Sequence, residues 1–146
     1  MDILIRPLEK GYIDTCVRIE KESFSMPWSA ESFEAACDLE YCHYLVAECD
    51  GRVVSLAGYR ESYGEADIDN VFTDRDYRGR GIVTKVLQRL IDDGIKSGIT
   101  AFTLEVRVSN EAAIHVYEKL GFKSAGIRPG FYEKPVEDAN IMWLYI

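Results

Sequence analysis

Apolar positions change their spacing several times along the chain, and each change marks an element. Ile3 and Ile5 alternate with Asp2 and Arg6, which predicts a short first strand ending at Pro7. Ile13, Val17, Ile19 (or Cys16) and Phe24 fall at helical spacing and predict a helix over 11–22, broken by Met26-Pro27-Trp28. Ser29 suits the N-cap of a second helix reaching about residue 38, with Trp28 and Phe33 placed as the two halves of a hydrophobic staple. From His43 the period shortens to two. Residues 43–49 read as a strand, Asp50-Gly51 as a two-residue hairpin turn and 52–62 as the returning strand. A second turn at Tyr63-Gly64-Glu65 leads to a strand over 66–73.

The longest helical stripe follows. Ile82, Val83, Val86, Leu87, Leu90, Ile91 and Ile95 recur at three- and four-residue intervals, with Gly98 as the C-terminal stop. Residues 101–107 form a strand of β-branched and aromatic residues carrying one interior glutamate, Glu105. Ser109 or Asn110 caps a helix over 111–120, which Gly121 ends. Two last strands are expected at 122–127 and 139–145, joined by a loop that holds Phe131 and Tyr132. Repeats, low-complexity tracts and linkers are absent, so residues 1–146 read as a single domain. The hairpin at Asp50-Gly51 excludes a purely parallel doubly wound sheet; three antiparallel strands followed by a helical crossover predict a mixed α/β sheet.

Composition narrows the classes. At 146 residues, 47% hydrophobic and 29% charged, the chain suits one soluble globular domain. With no apolar run of membrane-spanning length and no signal-peptide core at the start, a cytoplasmic location without a membrane partner is the expectation. A net charge of −8 argues against direct nucleic-acid binding and requires any anionic cofactor to be held by local positive groups. The four cysteines, at 16, 37, 42 and 49, form no C-x-x-C pair and are expected as reduced thiols. Cys37, Cys42 and His43 lack a fourth ligand and a metal-site spacing, so no metal is expected. His43 and His115 have no Ser or Cys partner at a suggestive spacing.

Such local charge is found in Asp74-Arg75-Asp76-Tyr77-Arg78-Gly79-Arg80-Gly81, between a strand and a helix. Unpartnered N–H groups at a helix start attract phosphate, and glycines let it approach. The Walker ending is missing, and Thr84 stands where a dinucleotide loop needs its third glycine. From the loop alone, a helix that merely begins in an Arg/Gly turn fits equally well. Arg78, Gly81 and Val83, however, resemble the Arg/Gln-x-x-Gly-x-Gly/Ala pyrophosphate loop of the GNAT N-acetyltransferase superfamily, with Val83 where the family usually has Gly or Ala. Residues 104–110, then Ala113 and 117–122, resemble its RimI group, as do Pro27-Trp28-Ser29, Glu137-Asp138-Ala139 and Ile141-Met142. The likeness spans nearly the whole chain.

That resemblance implies a mainly antiparallel central sheet with helices on both faces. In that family a bulged fourth strand splays from the fifth and opens a slot for pantetheine, here between 69–72 and 104–106. It implies acetyl-CoA as co-substrate, held by Val71, Thr73, Arg78, Gly79, Arg80, Gly81, Ile82, Val83 and Asn110. It further implies an acceptor gripped by Phe131 and Tyr132 and framed by Glu31, Glu34 and the first two helices. RimI enzymes acetylate the N-terminal alanine of a small-subunit ribosomal protein, so the implied partner is a protein N-terminus, on a basic ribosomal protein.

The chemistry fits the same residues. Acetyl transfer to an amine needs the amine unprotonated, and Glu105, on the strand opposite the loop, can accept the proton directly or through water. A solvent-facing strand glutamate is the plainer alternative. The backbone N–H of Val71, at the bulge, can stabilise a tetrahedral oxyanion. Tyr117 can protonate the leaving thiolate, or serve only as a core aromatic; Asn110 can bond the pantetheine arm, or serve only as a cap. A small amine or a lysine side chain is an alternative acceptor. A non-catalytic acyl-CoA-binding domain is the alternative class, against which Glu105 and Tyr117 together argue.

Overall fold

The computed structural model describes residues 2–146. In chain order it runs β1 (Leu4–Pro7), α1 (Ile13–Ser23, after a 3-10 turn), α2 (Ala30–Asp38), β2 (Cys42–Cys49), β3 (Arg52–Ser62) and β4 (Glu65–Thr73). There follow α3 (Ile82–Lys96), β5 (Ala101–Arg107), α4 (Glu111–Lys119), β6 (Lys123–Tyr132) and β7 (Glu137–Tyr145). All seven strands join one sheet in the order β1-β2-β3-β4-β5-β7-β6. Among the described residues only the β4–β5 pair is parallel, as a helical crossover between them requires. The expected mixed, mainly antiparallel α/β sheet is present.

Alternation along β2 sorts side chains into two cores. Tyr44 and Val46 join Cys16 and Ile19 of α1 and Phe33 of α2 on one face. Ala47 and Cys49 join Val86, Leu87 and Leu90 of α3 on the other. Each amphipathic helix thus buries its stripe against a face of the sheet, and burial of such side chains stabilises by roughly 1.5–3 kcal/mol apiece. The start of α2 forms as its sequence dictates: Ser29 Oγ accepts the Ser32 N–H at 3.2 Å, and the Trp28 and Phe33 rings lie 5.2 Å apart.

One expectation fails. Residues 128–132 continue β6 instead of opening a loop, so Phe131 and Tyr132 sit on a strand. Arg-Pro-Gly reads as a turn, but β6 is the edge of the sheet, where a residue without an N–H is tolerated. The register shifts between Arg128 and Tyr132, which lets the strand absorb Pro129 and Gly130.

The feature that shapes the rest lies at the centre. β4 and β5 pair only from Glu65↔Ala101 to Ile68↔Leu104. Beyond that point β4 stays with β3 and β5 stays with β7. In β4 the register jumps, with Gly58 opposite Asn70 and Tyr59 opposite Ile68, so Asp69 is the extra residue of a bulge. The bulge is pinned from below: the Tyr44 hydroxyl donates to Asp69 Oδ1, and Arg60 Nε donates to Asp69 Oδ2 at 3.1 Å. Gly58 makes room for this, because a Cβ there would fall inside the Tyr44 ring. Replacing Gly58 by Ala should therefore destabilise the fold by about 1–3 kcal/mol in denaturant titrations. Gly11→Ala, where an added Cβ meets nothing, serves as the control.

Candidate active site

The divergence of β4 and β5 opens a slot of about 590 Å³. One wall is β4 from Asp67 to Val71, the other β5 from Leu104 to Arg107. The α1–α2 connection (Phe24, Met26 and Trp28 among its residues), Asn110 and Tyr117 of α4, and Phe131 and Tyr132 of β6 close the remaining sides. A smaller cavity of about 240 Å³ is lined in part by Cys37, Cys42 and His43. Among the described residues no three His, Cys, Asp or Glu side chains form a set able to hold a metal. All four cysteines are free, and burial pushes the Cys16 thiol up to about 12.

Backbone direction along β4 follows from one bond. The Asp74 N–H donates to the Val54 carbonyl at 2.7 Å. Antiparallel ladders alternate, so Phe72 and Asn70, opposite Leu56 and Gly58, also face β3. Val71 and Thr73 then turn their N–H and C=O groups to the side that β5 has left. Val71 presents a fixed N–H donor where no strand takes it up. The Thr73 carbonyl accepts from Arg78 Nε at 3.1 Å.

The glycine loop between β4 and α3 has the features an anion needs. Gly81, the N-cap of α3, has φ 74°, and Gly79 has φ 76°, both in the left-handed region that glycine enters freely. A Cβ at either would meet nothing within 4 Å, so the approach is open. No acidic residue lies in the first turn of α3 and no side chain caps it, which leaves its N–H groups and dipole unopposed. Ile82 is buried, and Val83 lies half-buried against the core cluster. Arg78 Nη2 donates to Ser23 Oγ at 3.3 Å, tying the loop to a residue of the slot wall. Arg80 reaches the Asp76 carbonyl at 3.2 Å and lies over the Tyr77 ring.

Glu105 faces the slot, half-buried. Burial raises its pKa above the ordinary carboxylate value, and the nearby Asp67 charge adds to that. Arg128, 3.6 Å away and largely exposed, offsets part of it. Tyr117 is buried, its ring edge-on to Phe122 at 6.0 Å. Burial raises its pKa, so the hydroxyl keeps its proton and remains a donor. Tyr132 is pushed up to about 12 by burial and then by the Glu105 charge. The Arg107 guanidinium lies 4.5 Å from the Tyr132 ring centroid. Asn110 caps α4, its Oδ1 accepting the Ala113 N–H at 3.2 Å, and the residue also borders the slot.

Asn70 lies in the 69–72 stretch expected to wall the slot, and it does line it. Sequence reasoning missed other residues here. Glu20 reaches the slot from α1, though it stands in no motif. Arg107 donates to the Pro135 and Glu133 carbonyls and to Glu137, and touches Ser25 Oγ at 3.4 Å, so it holds the β6–β7 turn against the α1–α2 connection. Of the early elements expected to frame the slot, Glu31 and Glu34 are exposed and outside its wall; the α1–α2 connection takes that place. In a helix start, the hydrophobic residues of a staple point inward, leaving such glutamates on the solvent side.

A sequence model described as "Acetyltransferase (GNAT) family" matches residues 13–122. The chain belongs to that family. It is accordingly an N-acetyltransferase. It is 35% identical over 144 residues to the [ribosomal protein bS18]-alanine N-acetyltransferase of Escherichia coli K12, covering 97% of each chain. It is 30% identical to the N-alpha-acetyltransferase RimI of Mycobacterium tuberculosis, over 96% of this chain and 90% of that one. The crystal structure of the Escherichia coli ribosomal-protein-S18-alanine N-acetyltransferase superposes with a TM-score of 0.92 at 34% identity, over 99% of this chain and 94% of that one. Ard1 from Thermoplasma volcanium shares the fold, with a TM-score of 0.91 at 22% identity over 100% of this chain and 99% of that one. The GNAT fold read from the glycine loop and the 104–122 segment is thereby established.

Glu20 also yields a stability prediction. It is 2% exposed, and burial pushes its carboxyl up to about 7, partly offset by the hydrogen bond from the Trp28 N–H. The folded state therefore holds this proton more tightly than the unfolded chain. Stability from this group is full below the unfolded value and is lost as pH rises to about 7. Thermal melts should show Tm falling across that window, with Glu20→Gln flattening the decline.

Proposed function

We propose that this GNAT enzyme uses acetyl-CoA to acetylate the α-amine of a protein N-terminus. The observation that carries the reading is the convergence of Glu105, Tyr117 and the outward-facing Val71 N–H on one slot. In this reading the pyrophosphate lies at the first turn of α3, against the N–H groups after Gly81, with Gly79, Ile82 and Val83 shaping the seat. Arg78 and Arg80 supply local positive charge beside those N–H groups, on a chain that is acidic overall. The pantetheine arm passes Thr73 and Asn110 into the slot, and the thioester stops beside Val71.

The reaction balances on these residues. The acceptor ammonium gives one proton to Glu105, directly or through water, and its lone pair attacks the thioester carbon. The Val71 N–H stabilises the resulting oxyanion. The carbon–sulfur bond breaks, Tyr117 passes its proton to the departing sulfur, and the second proton of the attacking nitrogen leaves through water, restoring the Tyr117 hydroxyl as the amide forms. A carboxylate raised by its surroundings suits the first step, because a base works best near the operating pH. A hydroxyl held protonated by burial suits the last.

An α-amine titrates near about 7.7–8.0 against about 10.4 for lysine, so one carboxylate base has less to do with an N-terminus. The RimI-like relatives support a protein acceptor of that kind. The net charge of −8 suits a basic ribosomal protein, whose approach the field accelerates. Phe131 and Tyr132 grip the acceptor from β6. The site needs no metal for this chemistry, and the reaction is placed in the cytoplasm, with neither membrane nor nucleic acid as a partner.

Gly81→Glu should abolish acetyl-CoA binding in calorimetry, since it puts a carboxylate where the phosphates belong; normal binding would mean the loop is misassigned. Glu105→Gln should lower kcat by about 10²–10⁴ with acetyl-CoA binding intact, and should remove an acid limb of kcat/KM that lies above the ordinary carboxylate range. Tyr117→Phe should slow turnover without unfolding α4. The acceptor is tested by turnover on a peptide beginning with alanine followed by basic residues, beside a lysine peptide and a polyamine. Acetylation of either of the last two, with the alanine peptide inert, would remove the acceptor assignment and leave the cofactor reading standing.

A further inference from the structure

Next to the slot, part of the sheet carries aromatic rings that neither core uses. α1 and α2 pack on β2, β3 and β4, while α3 packs on the opposite face. Phe102, Leu104 and Met142 point to the α3 core, so by alternation Thr103, Glu105, Ile141, Trp143 and Tyr145 point the other way. Register lays that face out in rungs. Glu105 stands beside Ile141; the next rung is Asp67, Thr103 and Trp143, and the one after it Glu65, Ala101 and Tyr145. The result is a trough. Small residues of β5 form its floor, carboxylates of β4 stand along one side and rings of β7 along the other. The Trp143 and Tyr145 rings stack, with centroids 5.4 Å apart and planes 4° from parallel. Tyr145 is 73% exposed, Glu65 is exposed, and among the described residues neither ring belongs to either core.

The trough begins at the proposed base and leads out of the slot. In the other direction along β5 the way is bridged. Ser25 Oγ donates to the Glu133 carbonyl at 3.4 Å, and Arg107 Nη2 reaches Ser25 Oγ at 3.4 Å, which joins the α1–α2 connection to the β6–β7 turn. We infer that the trough is a second part of the acceptor site, holding basic side chains downstream of the N-terminus. This deepens the reading of the acceptor as a protein N-terminus and rests on it. One rung is two residues of strand, about 7 Å, so an extended chain leaving Glu105 passes Trp143 with about its third residue and Tyr145 with about its fifth. The chemistry selects a cation. Aromatic ring faces attract a guanidinium or ammonium, the aliphatic stem of Arg or Lys covers apolar surface, and Glu65 and Asp67 across the floor meet the charge. The basic groups of this face, Lys123 and Arg128, stand on β6 at the outer edge, beyond the rings. A serine-rich or acidic tail gains none of these contacts.

The test uses the full chain and three acceptors: an alanine tripeptide amide, an octapeptide beginning Ala-Ala with arginine at its third to sixth residues, and the same octapeptide with serine there. For wild type, kcat/KM should be roughly five- to thirty-fold higher for the arginine octapeptide than for the other two, mostly through KM, and the gain should shrink as salt is raised. Trp143→Ala combined with Tyr145→Ala should remove most of that gain while leaving the tripeptide and the KM for acetyl-CoA within about two-fold. Glu65→Lys, an exposed change on a different strand, should penalise the arginine octapeptide and spare the serine one. Equal turnover of the two octapeptides by wild type would overturn the inference, as would an equal loss on all three acceptors in the double variant. Sedimentation of the same proteins gives a further check: a dimer lost in the double variant, with the arginine gain intact, would assign the rings to a second copy of this chain instead. A wild-type enzyme that acetylates none of the three would remove the acceptor reading and this inference with it, whereas turnover without any arginine gain removes this inference alone.

Discussion

Everything at the functional end of this molecule depends on where the ladder between β4 and β5 stops. Four residue pairs hold the two strands together, and after Ile68↔Leu104 each follows its other neighbour. Backbone groups exposed this way are normally satisfied by the next strand. Here they face a cavity, and the Val71 N–H is one of them. The divergence is built in by Asp69, the extra residue of the bulge, and by Gly58, which lets the Tyr44 ring pass beneath it. Tyr44 and Arg60 then fix the Asp69 carboxylate from both sides. A bulge held within a well-packed sheet keeps the Val71 N–H pointing one way, which is what the oxyanion role proposed for it requires.

The charges are arranged around that slot in two zones. Glu20, Asp67, Asp69 and Glu105 all line it, and burial is the first cause of the raised pKa of each. In each, burial disfavours the charged form, so the proton is held more tightly than it would be in water. Positive charge stands at the glycine loop that follows β4, where Arg78 and Arg80 flank the start of α3. In the proposed reading, a chain of net charge −8 thereby presents a positive loop to the anionic cofactor and buried carboxylates to a cationic acceptor.

What the chain says by itself is the part governed by short range. Periodicity places the helices and most strands within a residue or two; Ser29 and Asn110 declare their caps, and Asp50-Gly51 its hairpin. Arg78, Gly81 and the segment around Glu105 and Tyr117 carry the family resemblance, because glycine at a left-handed turn and a strand glutamate are visible in one dimension. What it does not say is decided by strand order. Phe131 and Tyr132 read as loop because Arg-Pro-Gly is a turn signal, yet an edge strand tolerates a missing N–H and carries them on to the slot. Glu20 sits in an ordinary helical stripe and Asn70 in an ordinary strand. Only the packing of α1 against the bulged part of the sheet buries both and brings them together, since the sequence separation of fifty residues hides a contact that the fold creates.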